Sequence, residues 1–145
     1  MLGQGASSSM SMADGPAEDM ALKNNFTVLV VDDDPIIRKV HDMQLKKFGL
    51  KPQVVENGNK AVDLCLAGST FDLILMDKEM PVMDGVEATR ELRAIGVNSL
   101  IVGVTSRGSP DEKKAFMEAG LDFFFEKPLS PENITFLLQK LNNNN

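Results

Sequence analysis

The chain has 145 residues at 15.8 kDa, a formal net charge of -6 and 43% hydrophobic residues. That supports one packed domain and excludes a wholly disordered chain. A single cysteine, Cys65, and a single histidine, His41, exclude an internal disulfide framework and Cys/His zinc sites, while the acidic balance argues against a nucleic-acid module.

Residues 1–24 are rich in Ser, Gly, Ala and Met without periodicity and read as a flexible tail. They lack the basic start and apolar stretch of a secretory signal and contain no Arg, and no apolar run reaches the roughly 18 residues needed to span a bilayer. The expectation is a soluble intracellular protein, cytosolic or nuclear. Phe26 to Val31 is β-branched and apolar, the composition of a buried strand. Pro35 to Phe48 carries Ile36, Ile37, Val40, Met43, Leu45 and Phe48 near helical spacing, with Asp34 as N-cap, Pro35 in the first turn and Gly49 at the stop. Gln53 to Glu56 is a short strand, and Glu56-Asn57-Gly58 opens a helix over Gly58 to Leu66 that ends at Gly68. Phe71 to Met76 is a second strongly apolar strand, followed by a loop over Asp77 to Asp84 and a helix over Gly85 to Ile95. Leu100 to Thr105 reads as a strand, Pro110 to Ala119 as a helix, Leu121 to Phe125 as a strand and Pro131 to Leu141 as the last helix. The four closing asparagines, 142–145, read as a polar end with no core to join.

Five strand–helix pairs in strict alternation predict a doubly wound α/β fold, a five-stranded parallel sheet with helices on both faces. Nearly continuous apolar strands fit burial on both sides. In such sheets a ligand binds beyond the carboxyl ends of the strands. Asp32, Asp33 and Asp34 follow the first strand, Asp77 the third, Thr105 and Ser106 the fourth, and Lys127 the fifth, so all of them share one edge. Carboxylates gathered there must shift their pKa values or hold a cation, and an all-oxygen set suits Mg²⁺ or Ca²⁺. A carboxylate nucleophile, a divalent cation, a lysine and a hydroxyl form a phosphoryl-transfer set.

The stretches VLVVDDDP, DLILMDKEMPVMDG, IVGVTS and FFFEKPL, in this order over residues 26–141, resemble the receiver domain of two-component response regulators. The resemblance implies a (βα)₅ flavodoxin-like receiver fold with strand order 2-1-3-4-5, spanning residues 25–141. It implies that Asp77 is the phosphoacceptor and that Asp33 and Asp77 ligate Mg²⁺, with the backbone carbonyl of Glu79 and, through water, Asp32. It further implies that Thr105 and Lys127 contact the phosphoryl group, that Phe124 is the switch aromatic turning inward with Thr105, and that the Lys127–Pro128 bond is often cis. The block MDKEMP with IVGVTS looks most like the plant stand-alone regulators of type C, which consist of a receiver alone. That likeness implies a histidine phosphotransfer protein as donor, a sink or brake role in cytokinin-type signalling, and phosphohistidine phosphatase activity in some members. The expectation is a receiver without a DNA-binding output domain, and a monomer with no nucleic-acid or membrane partner.

Other residues have plainer readings. Asp34 is an N-cap, His41 a surface or partner-contact histidine, Cys65 a buried small hydrophobe, and Met76, Met80 and Met83 core and loop packing. Phe123 and Phe125 alternate with Phe124, which places the two sets on opposite faces. Glu79 and Arg107, two positions beyond Asp77 and Thr105, are candidates for tuning the phosphoryl lifetime, either by pairing over the site or by Glu79 orienting water. The Asp-x-Asp at Asp32 also fits a haloacid-dehalogenase-type phosphatase with its nucleophile at Asp32, and a non-phosphorylated interaction module stays open. An acidic loop after the first strand argues against a flavin phosphate site, and Val82 occupies the position where a calcium EF-hand loop needs glycine.

Overall fold

The computed structural model describes residues 25–106 and 108–143, so the tail expected over residues 1–24 lies outside the described residues. The elements are β1 (Thr27–Val31), α1 (Pro35–Lys47), β2 (Lys51–Val55), α2 (Gly58–Leu66), β3 (Leu73–Asp77), α3 (Gly85–Ala94), β4 (Leu100–Thr105), α4 (Pro110–Glu118), β5 (Phe123–Glu126) and α5 (Pro131–Asn143). All strand pairs are parallel and the order is β2-β1-β3-β4-β5. None of the described helices is long and apolar enough to cross a membrane.

Local chemistry sets the helix limits. The Asp34 carboxylate accepts the Ile36 and Ile37 N–H groups and Pro35 opens α1. The side chains of Asn57 and Asp84 cap α2 and α3 in the same way. Ser109 and Glu112 close a reciprocal capping box at α4. Beyond α3 and α4 the chain turns through Gly96 (φ 92°) and Gly120 (φ 123°), a conformation that penalises a Cβ.

The period of two along each strand divides the core into two layers. Val28, Val30, Leu73, Leu75, Val102 and Val104 meet Leu45 of α1 and Ile134, Leu137 and Leu138 of α5. Leu29, Val31, Ile74, Met76 and Ile101 meet Ala61, Ala88, Leu92 and Phe116 of α2, α3 and α4. Phe123 and Phe125 join the first layer, each edge-on to Phe136, and Phe124 joins the second, as their alternation predicts. Phe116 fills the space left by the absent side chain of Gly103, where a Cβ would stand 2.8 Å from its ring.

Three sequence expectations need correction. Burial on both sides holds for the inner strands β1, β3 and β4, but β2 and β5 are edge strands with a single ladder neighbour, and Val54 is exposed. Asp77 closes β3 in register with Val104 instead of opening the loop, because β4 continues beyond Gly103 to Thr105. Asn142 and Asn143 belong to α5, where the Asn142 amide donates to the Leu138 carbonyl at 2.9 Å and prolongs the last turn. Elsewhere the limits differ by one or two residues. Phe26 is buried just ahead of the β1 ladder, β2 starts at Lys51, and Phe48, Ile95 and Ala119 are helix caps.

Phe116 is fully buried against both the sheet and Phe124. Phe116→Ala is expected to lower the unfolding free energy by about 3–5 kcal/mol, read from the midpoint shift in a urea titration.

Candidate functional site

The parallel register delivers five side chains to one edge. Asp32 stands directly beyond β1, and its N–H extends the ladder to the Val55 carbonyl at 3.2 Å. Asp77 ends β3, Thr105 ends β4 opposite Glu126, and the Lys127 N–H donates to the Thr105 carbonyl at 2.9 Å. Asp32, Asp77 and Thr105 are each 1% exposed, whereas Asp33 faces solvent.

The Lys127 ammonium lies between two buried carboxylates, 3.2 Å from Asp32 Oδ2 and 2.8 Å from Asp77 Oδ1. Asp32 is held further. Its Oδ1 accepts the Asp34 N–H at 2.9 Å, and its backbone carbonyl accepts from Arg38 Nη1 at 2.8 Å. Asp77 Oδ2, by contrast, is buried with no hydrogen-bond partner among the described residues. Burial, with added repulsion from the Asp32 and Asp33 charges, pushes Asp77 up to about 7 against the opposing bond from Lys127. Burial lowers the Lys127 pKa, but the bond and charge of Asp77 and the charge of Asp32 outweigh it and raise the ammonium above its usual value.

Asp32, Asp33 and Asp77 offer carboxylate oxygens that all lie within 4.8 Å of one another. Three carboxylates against one ammonium leave an excess of negative charge, and the set is entirely oxygen. Together with the orphaned Asp77 Oδ2, this donor set fits a hard divalent cation such as Mg²⁺.

The loop from Lys78 to Asp84 folds back over this edge. The Gly85 N–H donates to the Lys78 carbonyl at 2.8 Å, and a Cβ on Gly85 would run into the Asp77 carbonyl oxygen, so only glycine permits the approach. Val82 has φ 72° in a three-residue turn closed by Met83 N–H to Pro81 O at 2.8 Å, and is 85% exposed. Glu79 is exposed on the same loop. Lys78 pairs with Glu112 at 3.0 Å, which ties the residue after Asp77 to the capping box of α4. Phe124 stands edge-on to Phe116 at 6.0 Å, with the Lys113 ammonium 5.8 Å from its ring. Arg107 lies outside the described residues, and so does the pairing with Glu79 raised for it.

Lys78, Gly85 and His41 were not singled out by strand-end reasoning. His41 was expected at the surface, but it is 1% exposed, and its Nε2 accepts the Leu129 N–H at 3.1 Å. Its position four residues before Leu45 places both on the buried stripe of α1, and that spacing is the signal that could have found it. Burial lowers its pKa and keeps the ring neutral. Cys65 is only half-buried, because α2 turns it toward the rim of the second layer. Met76 and Met80 are core residues as expected. A hollow of about 960 Å³ at the opposite strand ends is lined by Phe71, Arg93, Ser99 and Asp122. Its polar groups serve the fold: Arg93 donates to the carbonyls of Val97, Ser99 and Gly120 and pairs with Asp122.

Residues 28–139 match the family model of the response regulator receiver domain. The chain is 48% identical over 120 residues to "Two-component response regulator 24" of Arabidopsis thaliana, covering 83% of this chain and 86% of the relative. It is 50% identical over 121 residues to "Two-component response regulator ARR22" of the same organism, covering 82% and 85%. Among solved structures, the receiver domain of the sensor histidine kinase PA1611 from Pseudomonas aeruginosa superposes with a TM-score of 0.71 at 28% identity, over 81% of this chain and 97% of that one. That structure carries a magnesium ion coordinated in its active-site cleft. The chain belongs to the response regulator receiver family, whose members are phosphoacceptors in phosphorelays, and it has the family's sheet order.

Folded, Asp77 keeps its proton up to about pH 7, whereas the ordinary value is 3.8. Between these values the folded state binds the extra proton, so this group favours folding at the acid end and the contribution vanishes as pH rises toward 7. Buried neutral His41 acts in the opposite sense, losing stability as pH falls below 6.5. The difference between wild type and Asp77→Asn therefore isolates Asp77. Without divalent cation, Asp77→Asn is expected to be the more stable protein near pH 8, with the gap shrinking toward about pH 5 in pH-resolved urea unfolding.

Proposed function

We propose that this receiver accepts a phosphoryl group on Asp77 from a histidine phosphotransfer protein, with Mg²⁺ bound by Asp32, Asp33 and Asp77 and by the backbone carbonyl of Glu79. The observation that carries the reading is the asymmetry of Asp77. One oxygen is taken by Lys127, while the other is buried at the same edge without a partner among the described residues. Asp32 has both oxygens engaged, by Asp34 N–H and by Lys127, which favours Asp77 over Asp32 as nucleophile and speaks against the dehalogenase-type alternative.

In this reading an Asp77 oxygen forms the new P–O bond as the P–N bond to the donor imidazole breaks. The lysine ammonium shifts from carboxylate to phosphoryl oxygen, a short move for a group already 2.8 Å from Asp77. Thr105, buried one strand away, supplies a hydroxyl to the same group. Mg²⁺, when bound, offsets negative charge on the transferring phosphoryl oxygens. Thr105 and the partly buried Phe124 then carry the change toward the face made by α4, β5 and α5, and the Lys78–Glu112 pair gives the acceptor loop a second link to α4. The chain acts as a monomer in cytosol or nucleus, without nucleic-acid or membrane partners, as a sink or brake in a cytokinin-type relay, and discharge of the donor by hydrolysis at Asp77 is part of the same reading. The receiver unit begins at residue 25, after segment 1–24, and includes α5 to Asn143.

Incubation with a histidine phosphotransfer protein carrying labelled phosphate, in Mg²⁺, tests the reading. Label is expected on wild type and absent from Asp77→Asn; equal labelling of both would sink it. Rapid Asp77-dependent release of free phosphate would identify the phosphatase form. Lys127→Met is expected to slow transfer on the order of 10²-fold, since the fixed ammonium is lost. Glu79→Gln is expected to shorten the lifetime of phospho-Asp77 severalfold in a decay assay, and an unchanged lifetime would remove Glu79 from any tuning role.

A further inference from the structure

Lys127 carries its ammonium on a flexible four-carbon stem, so its position between Asp32 and Asp77 depends on how firmly its backbone is held. Upstream, the Lys127 N–H is fixed to the Thr105 carbonyl. Downstream, Pro128 has no N–H to offer, so the first donor that can fasten the chain is the Leu129 N–H. That donor meets His41 Nε2 at 3.1 Å, and one turn along α1 the Gln44 amide donates to the Leu129 carbonyl at 2.8 Å. The peptide groups on both sides of Leu129 are thus held by a single helix, with the Leu129 side chain itself 1% exposed beneath them.

An imidazole 1% exposed is an expensive choice where an aliphatic side chain could fill the layer beside Leu45. Accepting at Nε2 places the ring proton on Nδ1, so the ring is the neutral tautomer that an acceptor role requires. Burial favours that neutral form. Packing alone does not call for this polarity, whereas orientation of a peptide does.

We propose that His41, with Gln44, is a positioning residue: by clamping the Leu129 backbone to α1 it sets where the Lys127 ammonium stands against Asp77. This rests on the reading of Asp77 as phosphoacceptor. Neither side chain touches the reacting atoms, and their effect travels through the backbone of residues 127–129.

The test uses acetyl phosphate as donor, which needs no docking on α1, and follows labelling of the full chain in Mg²⁺. His41→Leu keeps the bulk and removes the acceptor, while His41→Gln returns a carbonyl oxygen to the same reach. His41→Leu is expected to label about tenfold more slowly, with its Mg²⁺ affinity within about twofold of wild type, and His41→Gln to recover most of the rate. A wild-type rate in His41→Leu overturns the proposal. So does His41→Gln as slow as His41→Leu, because the loss would then follow packing and not the bond. Should His41→Leu fail to fold, Gln44→Met cuts the other fastening: slower labelling supports the clamp and an unchanged rate overturns it. Asp77→Asn in parallel separates the two readings. If it labels like wild type, or if wild type labels neither from acetyl phosphate nor from the phosphotransfer protein, the phosphoacceptor reading fails. If labelling needs Asp77 and is indifferent to His41 and Gln44, only the clamp fails.

Discussion

Two carboxylates buried side by side cannot both stay ionised without a positive charge between them, and much of this molecule serves to put one there. Asp32 and Asp77 come from neighbouring strands β1 and β3, so the sheet itself forces them together. Lys127 arrives from β5, two strands beyond β3, and its stem must cross Thr105 and β4 to reach them. The ammonium satisfies one oxygen of each carboxylate, and among the described residues Asp77 Oδ2 has no partner. The surplus negative charge and that oxygen leave the edge with the donor set of a hard-cation site rather than a closed ion pair.

The surroundings act on the same point from two sides. On one layer, α1 contributes Asp34 as its own cap, Arg38 to the Asp32 carbonyl, and His41 and Gln44 to Leu129, so a single helix braces both β1 and the lysine loop. On the other layer, Gly85 lets the loop after β3 lie against the Asp77 backbone, and Lys78 joins that loop to the start of α4. Phe116 underlies both Gly103 and Phe124, so the packing that stabilises the second layer also seats the Phe124 ring on β5. Stability and site are not separable here, because the same residues make both.

Much of the site was legible without coordinates. The alternation of short apolar runs with amphipathic stretches requires a parallel sheet, a parallel sheet requires all strand ends on one edge, and Asp32, Asp33, Asp77, Thr105 and Lys127 all end or follow strands. The helix cap at Asp34 was equally readable, since a side-chain oxygen reaching an N–H two or three residues ahead is a local event. His41 was misplaced because a polar side chain on an apolar stripe is ambiguous until its partner is known, and that partner is 88 residues away. Asn142 and Asn143 were misplaced for a related reason: composition says little about a helix end whose preceding turn is already packed.

Residue order and periodicity alone therefore settle which elements form, their parallel arrangement and which side chains gather at the edge, because those follow from short-range sterics and from a period of two or 3.6 residues. Tertiary structure decides what those side chains do to one another. Which oxygen Lys127 occupies, the rise of Asp77 to about 7, the unpaired Asp77 Oδ2 and the bracing of Leu129 by α1 all depend on burial and on distances of about 3 Å between residues far apart in the chain. Charge and hydrogen bonding vary steeply over such distances, and no local pattern in the chain encodes them.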